Sequence, residues 1–246
     1  MVFPKFEVSL PLLILILAES AMELVPESIL NHPAVKSHAE RRGKSPSQLM
    51  LDRSYHHAAM RVLPNNEKRG RPDIVHFALL EALGSPLNKE GMLQTYVHTI
   101  NDFVIYVNPK TRLPRNYNRF VGLMEQLFQH GQVPPSSEDE ALLRLERKNL
   151  SSLFEEIKPD YTLAFTREGE KRTLEEALLK VLDVQKLAVL IGGFPHGHFK
   201  KTTLKLANEA VCIDKEPLDA WTVVSRVVYE YERSVSITKK RLKNAT

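Results

Sequence analysis

Nine residues, Ile191 to Phe199 (IGGFPHGHF), carry the sharpest chemical signal in the chain, because they follow directly on the apolar run Lys186 to Ile191 (KLAVLI). Where a buried strand of an open α/β sheet ends, glycines let backbone amides and carbonyls come close to a ligand. The loop lacks the Gly-Lys-Ser/Thr ending of a Walker loop and the spacing of the dinucleotide fingerprint. A tight structural turn is the competing reading. His196 and His198 have no carboxylate or thiolate beside them in sequence, so no metal is expected there.

Two further constellations suit an anionic partner. From Phe103 to Met124 the chain has four cations, Lys110, Arg112, Arg115 and Arg119, and no acidic residue. Uncompensated charge on one loop is the footprint that phosphates select, although basic residues also cover solvated faces. Tyr117 and Phe120 are interleaved with these cations, and either aromatic could stack on a base. For Phe120 the core is the better place. In Arg71-Pro72-Asp73 the fixed φ of proline holds a carboxylate close enough to orient the guanidinium. Asp73 would also complement the first turn of a helix.

The elements that position these residues can be read from periodicity. Leu10 to Ala18 (LPLLILILA) has no alternation, which fits a central strand covered on both faces. Glu7 before it, Pro11 within it and a length of nine residues speak against a signal peptide or a membrane span. A mixed, histidine-rich insertion follows over 21–71. Between Glu40 and Arg71, Arg41, Arg42, Lys44, Arg53, Arg61, Lys68, Arg69 and Arg71 outnumber Glu40, Asp52 and Glu67. Pro72 to Leu83 predicts a helix that opens on proline and stops at Gly84. Asp102 to Val107 predicts a strand, Asn108 to Asn118 a proline-punctuated loop, and Arg119 to His130 a helix closed by Gly131.

After the polar break Val133 to Asp139, Glu140 to Phe154 predicts a charged helix. Strands are expected at Tyr161 to Phe165, Lys186 to Ile191 and Ala210 to Ile213. Thr173 and Glu176 form a capping box for a helix to Leu182. The last helix, Asp219 to Arg233, would bury Trp221, Val224, Val227, Val228 and Tyr231, and Ser236 to Thr246 would be a flexible basic tail. This alternation predicts an α/β fold with a mostly parallel sheet flanked by helices, in one domain over 1–233.

At 246 residues, 43% hydrophobic and 26% charged, the chain has the balance of a globular domain with a substantial core. Its net charge of +4 and pI near 9.0 agree with an anionic partner. A single cysteine, Cys212, excludes an internal disulfide framework and an all-cysteine zinc site. It fits a reducing, cytoplasmic setting.

Taken together, Arg71 to Gly91 (RPDIVHFALLEALGSPLNKEG), Asn108 to Leu127 (NPKTRLPRNYNRFVGLMEQL), Ile191 to Gly197 (IGGFPHG) and Ile213 to Leu218 (IDKEPL), followed by a tryptophan-bearing helix, resemble one known family. It is the N1-specific pseudouridine methyltransferases of small-ribosomal-subunit biogenesis, called nucleolar essential protein, and the resemblance is to its archaeal type. The likeness runs to about Arg233 and rests on the order and joint occurrence of the motifs. It implies a SPOUT-type fold with a C-terminal trefoil knot, a homodimer, and S-adenosyl-L-methionine bound in the knot. Gly192, Gly197, His198 and Phe199 would form one wall of that site. Ile213, Asp214, Lys215, Glu216, Pro217 and Leu218 would form another, with Thr166 as a third contact. Arg112, Arg115, Arg119 and Arg71 would contact small-subunit ribosomal RNA, and Asp73 would hold Arg71. The histidine-rich insertion and the pair Lys215 and Glu216 depart from the eukaryotic pattern.

For such an enzyme the protein chiefly positions the target nitrogen and excludes water, and needs no metal. Arg71, oriented by Asp73, would stabilise charge developing on a base oxygen, and the base would be flipped out of its loop. Two other readings compete. One is a non-catalytic RNA-binding assembly factor whose glycine loop is only a turn. The other is a methyltransferase of the same fold acting on uridine or guanosine in transfer RNA.

Overall fold

A computed structural model describes residues 12–135 and 141–243. Eight strands form one sheet: β1 (Leu12–Ser20), β2 (Leu93–Thr99), β3 (Phe103–Val107), β4 (Gln132–Val133), β5 (Leu143–Arg147), β6 (Tyr161–Lys171), β7 (Lys186–Gly192) and β8 (Glu209–Cys212). Their spatial order is β4-β5-β3-β2-β1-β7-β6-β8. The five strands from β2 to β8 in that order are parallel, and β3, β5 and β4 add an antiparallel edge.

The central position of β1 follows from its composition. Leu13, Leu15 and Leu17 enter one apolar layer and Ile14, Ile16 and Ala18 the other, so a run without alternation has both faces dry. Residues 10 and 11, the first two of the expected strand, lie outside the described residues.

The helices are α1 (Pro33–Arg42), α2 (Arg53–Met60), α3 (Pro72–Gly84), α4 (Pro86–Lys89), α5 (Tyr117–His130), α6 (Leu150–Ile157), α7 (Leu174–Leu179), α8 (Lys201–Leu204), α9 (Ala220–Ser234) and α10 (Ile237–Lys243). On one face of the sheet, Val75, Ala78 and Leu79 of α3 share a core with Phe120 and Met124 of α5 and Val224, Val227 and Tyr231 of α9. Leu150, Leu153 and Ile157 of α6 cover the other face. Trp221, expected in the core, is half-buried and meets Phe77 edge-on at 5.3 Å.

The insertion has its own small core, with Val35, Ala39, Leu49, Leu51, Ala59 and Met60. It docks on α5 through Glu125, which is fully buried and accepts hydrogen bonds from Lys44 Nζ (2.6 Å), Arg42 (3.1 Å) and the Met50 amide (3.1 Å). A buried carboxylate with three donors is compensated.

The structure corrects the sequence reading in three places. The helix expected over Glu140 to Phe154 is β5 followed by α6, because Leu143 to Arg147 pairs with both β3 and β4 and these ladders override helix propensity. Residues 136–140 lie outside the described residues. β2, which was not anticipated, pairs parallel with β1 from Leu13 opposite Leu93 to Leu17 opposite Val97. Within the expected flexible tail, 237–243 are helical as α10, with Ile237 buried and Arg241 bonded to Glu90 at 2.6 Å. Among the described residues no helix is long and apolar enough to cross a membrane.

Candidate functional site

β6, β7 and β8 end side by side, and a cavity of about 280 Å3 opens at their carboxyl ends. That is near the small end of the roughly 300–1,000 Å3 range of small-molecule sites. Three segments build it. β6 breaks register between Phe165 and Glu170, which lets Thr166 and Arg167 leave the ladder and line the cavity. β7 delivers Ile191 and Gly192 and then the glycine loop. β8 delivers Ile213 to the start of α9.

Each glycine of the loop has a steric reason. A Cβ at Gly193 would lie 2.1 Å from Ser20 Oγ, because this residue is clamped against the end of β1. Its amide donates to Ala18 O (2.9 Å) and its carbonyl accepts from the Ala21 amide (2.8 Å). A Cβ at Gly192 would meet the Phe194 ring at 2.9 Å, and Gly197 has φ +93°. Only a chain without side chains here can turn back over the strand ends.

Of the residues assigned to a cofactor from sequence, Thr166, Gly192, Gly197, His198, Phe199, Ile213, Asp214, Glu216, Pro217 and Leu218 all line this cavity. Lys215 does not, and its side chain is exposed. Phe199 is buried and packs edge-on against Phe194 at 5.6 Å. Asp214 caps its own turn by accepting from the Glu216 amide (3.0 Å). His198 Nδ1 is 3.5 Å from the Glu168 carboxylate. Among the described residues no group of three or more His, Cys, Asp or Glu could hold a metal ion. Cys212 is a free, buried thiol in the cavity lining.

The second constellation is assembled at the start of α3. Arg71 Nε and Nη2 donate to the two oxygens of Asp73 at 2.8 and 2.7 Å, a bidentate pair held across Pro72. The bond to Asp73 raises the Arg71 pKa above its already high ordinary value. The Arg71 amide donates to Ala21 O (3.2 Å), and Ala21 in turn bonds Gly193, so one residue links the arginine to the glycine loop.

The basic loop is pinned below its charged tips. His76 of α3 donates through Nε2 to Pro114 O (2.7 Å), and Asn88 Nδ2 donates to Pro109 O (2.9 Å). Burial lowers the His76 pKa below the ordinary imidazole value. Lys110, Arg112, Arg115 and Arg119 are exposed and have no ion-pair partner among the described residues. Phe120 is buried and stacks on His76 at 4.2 Å, so its core reading stands. Tyr117 is half-buried and its hydroxyl donates to Asp52, which ties it to the insertion.

Sequence reasoning missed Glu19, Lys68, Asp52 and Phe194. Glu19 had one local signal, an acidic residue at the end of an uninterrupted buried strand. Phe194 stands inside the glycine loop itself, whereas Lys68 and Asp52 are joined to the site only in space.

A mostly parallel α/β sheet whose strand ends and glycine loop enclose a cavity, with an oriented arginine tied to that loop through Ala21, defines a small-molecule-binding fold. The chain belongs to the EMG1/NEP1 methyltransferase family, whose profile matches residues 15–232. It is 51% identical over 221 residues to the ribosomal RNA small subunit methyltransferase Nep1 of Pyrococcus furiosus, covering 90% of this chain and 96% of that one. Nep1 of Thermococcus kodakarensis is 51% identical over 226 residues, covering 91% and 99%. The crystal structure of Archaeoglobus fulgidus Nep1 bound to S-adenosylhomocysteine superposes with a TM-score of 0.80 at 41% identity, covering 92% of this chain and 99% of that one.

Proposed function

We propose that this chain uses S-adenosyl-L-methionine to methylate N1 of a pseudouridine in small-subunit ribosomal RNA during ribosome biogenesis. The observation that carries the reading is the cavity where Thr166, the glycine loop and Ile213 to Leu218 converge. Its lining fits the cofactor. Ile191, Ile213, Leu218 and Val223 offer an apolar slot for a flat base, while Asp214 and Glu216 offer carboxylates to a molecule bearing a sulfonium and an ammonium. Relatives named as Nep1 methyltransferases, one solved with S-adenosylhomocysteine, support the same assignment.

When bound, the cofactor supplies an already activated methyl group. The protein's contribution is orientation and charge. In this proposal Arg71, fixed by Asp73, stabilises the negative charge that develops on a base oxygen as the N1 proton leaves. Arg112, Arg115 and Arg119 hold the RNA backbone, and the target base flips out to reach the cavity at a cost of roughly a few kcal/mol. A homodimer, a trefoil knot formed by the C-terminal segment, and a cytoplasmic setting complete the proposal.

Calorimetric titration with S-adenosylhomocysteine tests it, on the unmodified protein and on Gly192→Leu. Saturable binding lost in the variant supports the methyltransferase reading. A folded protein that binds an RNA hairpin but no cofactor would be an assembly factor instead. Comparing methyl transfer to uridine and pseudouridine oligonucleotides tests the target base.

A further inference from the structure

Glu19 is the eighth residue of β1 and adopts φ +52°, a left-handed conformation that a non-glycine residue holds only under surrounding constraint. Its side chain is 1% exposed. The constraint is visible: its carboxylate accepts from the Lys200 amide at 2.7 Å and from Lys68 Nζ at 3.2 Å. The same ammonium donates to the His198 carbonyl and stands 4.2 Å over the Phe194 ring. A Cβ on Gly197 would come within 2.9 Å of Lys68 Cε, so the lysine stem lies directly on the glycine loop. One side chain therefore joins the end of β1 to both limbs of the loop, from behind the cavity wall.

Lys68 is also three residues before Arg71. The segment between them touches the glycine loop twice, once through the Lys68 side chain and once through Ala21, which bonds both the Arg71 amide and the Gly193 carbonyl. A ligand that orders Phe194 to His198 must therefore order the segment that carries Arg71, and by linkage the converse holds.

We infer that Lys68, anchored by Glu19, is a positioning residue that couples cofactor occupancy of the cavity to placement of Arg71, so that cofactor and RNA bind cooperatively. The inference rests on the cofactor reading of the cavity. Lys68 touches neither the reacting atoms nor the cavity. It acts through the loop on one side and through the backbone leading to Arg71 on the other.

The test measures affinity for a fluorescent RNA hairpin carrying one pseudouridine in its loop, with and without saturating S-adenosylhomocysteine, together with calorimetry of S-adenosylhomocysteine alone. The unmodified protein should bind the hairpin about tenfold more tightly with the cofactor product present, within the usual span of coupling between sites. In Lys68→Met that ratio should fall to within about twofold of one. Lys68→Arg, which keeps a cation over Phe194 and two donors, should restore part of it. Glu19→Gln, which keeps the Lys200 contact but not the ion pair, should give an intermediate ratio, and it carries the test if Lys68→Met does not fold.

A ratio of one in the unmodified protein, with S-adenosylhomocysteine and hairpin each binding, overturns the coupling and leaves the methyltransferase reading intact. So does a folded Lys68→Met that keeps the full ratio. Absence of calorimetric binding by the unmodified protein overturns both.

Discussion

The hydroxyl of Tyr117, at the start of α5, donates a hydrogen bond to the carboxylate of Asp52, 65 residues earlier at the start of α2. Asp52 is buried and also accepts from the Ser54 amide (2.8 Å), so it caps α2 while holding the helix that follows the basic loop. Burial and this bond hold the Tyr117 hydroxyl protonated well beyond its ordinary range. Tyr117→Phe removes a donor from a buried carboxylate and should lower stability by about 1–3 kcal/mol. Chemical denaturation checks the value, and affinity for S-adenosylhomocysteine should be unchanged.

Asp73 orients Arg71 through two bonds. Asp73→Ala should slow single-turnover methyl transfer by roughly 10- to 100-fold, the scale of groups that act by orienting another residue, below the roughly 100- to 1,000-fold lost with a direct donor. Cofactor affinity should stay within about twofold. Asp73→Asn keeps one acceptor and should fall between. Equal rates in all three proteins would remove the pair from the chemistry.

Gly193 leaves no room for a methyl group beside Ser20. Gly193→Ala should push the loop off β1, destabilise the fold by about 1–3 kcal/mol and weaken cofactor binding. Thermal melting and calorimetry would register both effects. Gly122, half-buried on α5 but with open space where a Cβ would stand, is the control, where Gly122→Ala should be neutral or stabilising.

Arg112, Arg115 and Arg119 are exposed cations with no acidic neighbour in the loop. Each change to alanine should weaken RNA binding irrespective of sequence and lower the slope of log affinity against log salt by about one. A slope unchanged in all three would remove the loop from the RNA contact.

His38 Nδ1 and His56 Nε2 lie 2.9 Å apart inside the insertion. Burial, reinforced by His38, lowers the His56 pKa to about 4, and burial with Arg42 and Arg41 lowers that of His38. The unfolded chain therefore binds more protons than the folded one between about pH 6.5 and 4. Stability from His56 is full above pH 6.5 and should fall on acidification through that window by up to about 1.4 kcal/mol per pH unit, with His38 acting in the same direction. Denaturation at pH 7 and pH 5 tests this, and His56→Gln should flatten the dependence.

What the amino-acid sequence determined by itself was local. The uninterrupted apolar run of β1, the Pro72 start of α3, the Gly131 stop of α5 and the Thr173–Glu176 capping box are settled within a few residues, where caps, glycines and side-chain period act. The glycine loop and Arg71-Pro72-Asp73 were legible for the same reason. Tertiary structure decided the rest. Leu143 to Arg147 is a strand because β3 and β4 offer it partners, and β2 because β1 and β3 do. Strand order brought Thr166, Gly192 and Ile213 to one cavity, since β6, β7 and β8 are adjacent in space. Lys68 meets Glu19 across 49 residues and His198 across 130. No local propensity encodes such contacts, because a buried charge finds its partner only after the chain has closed around it.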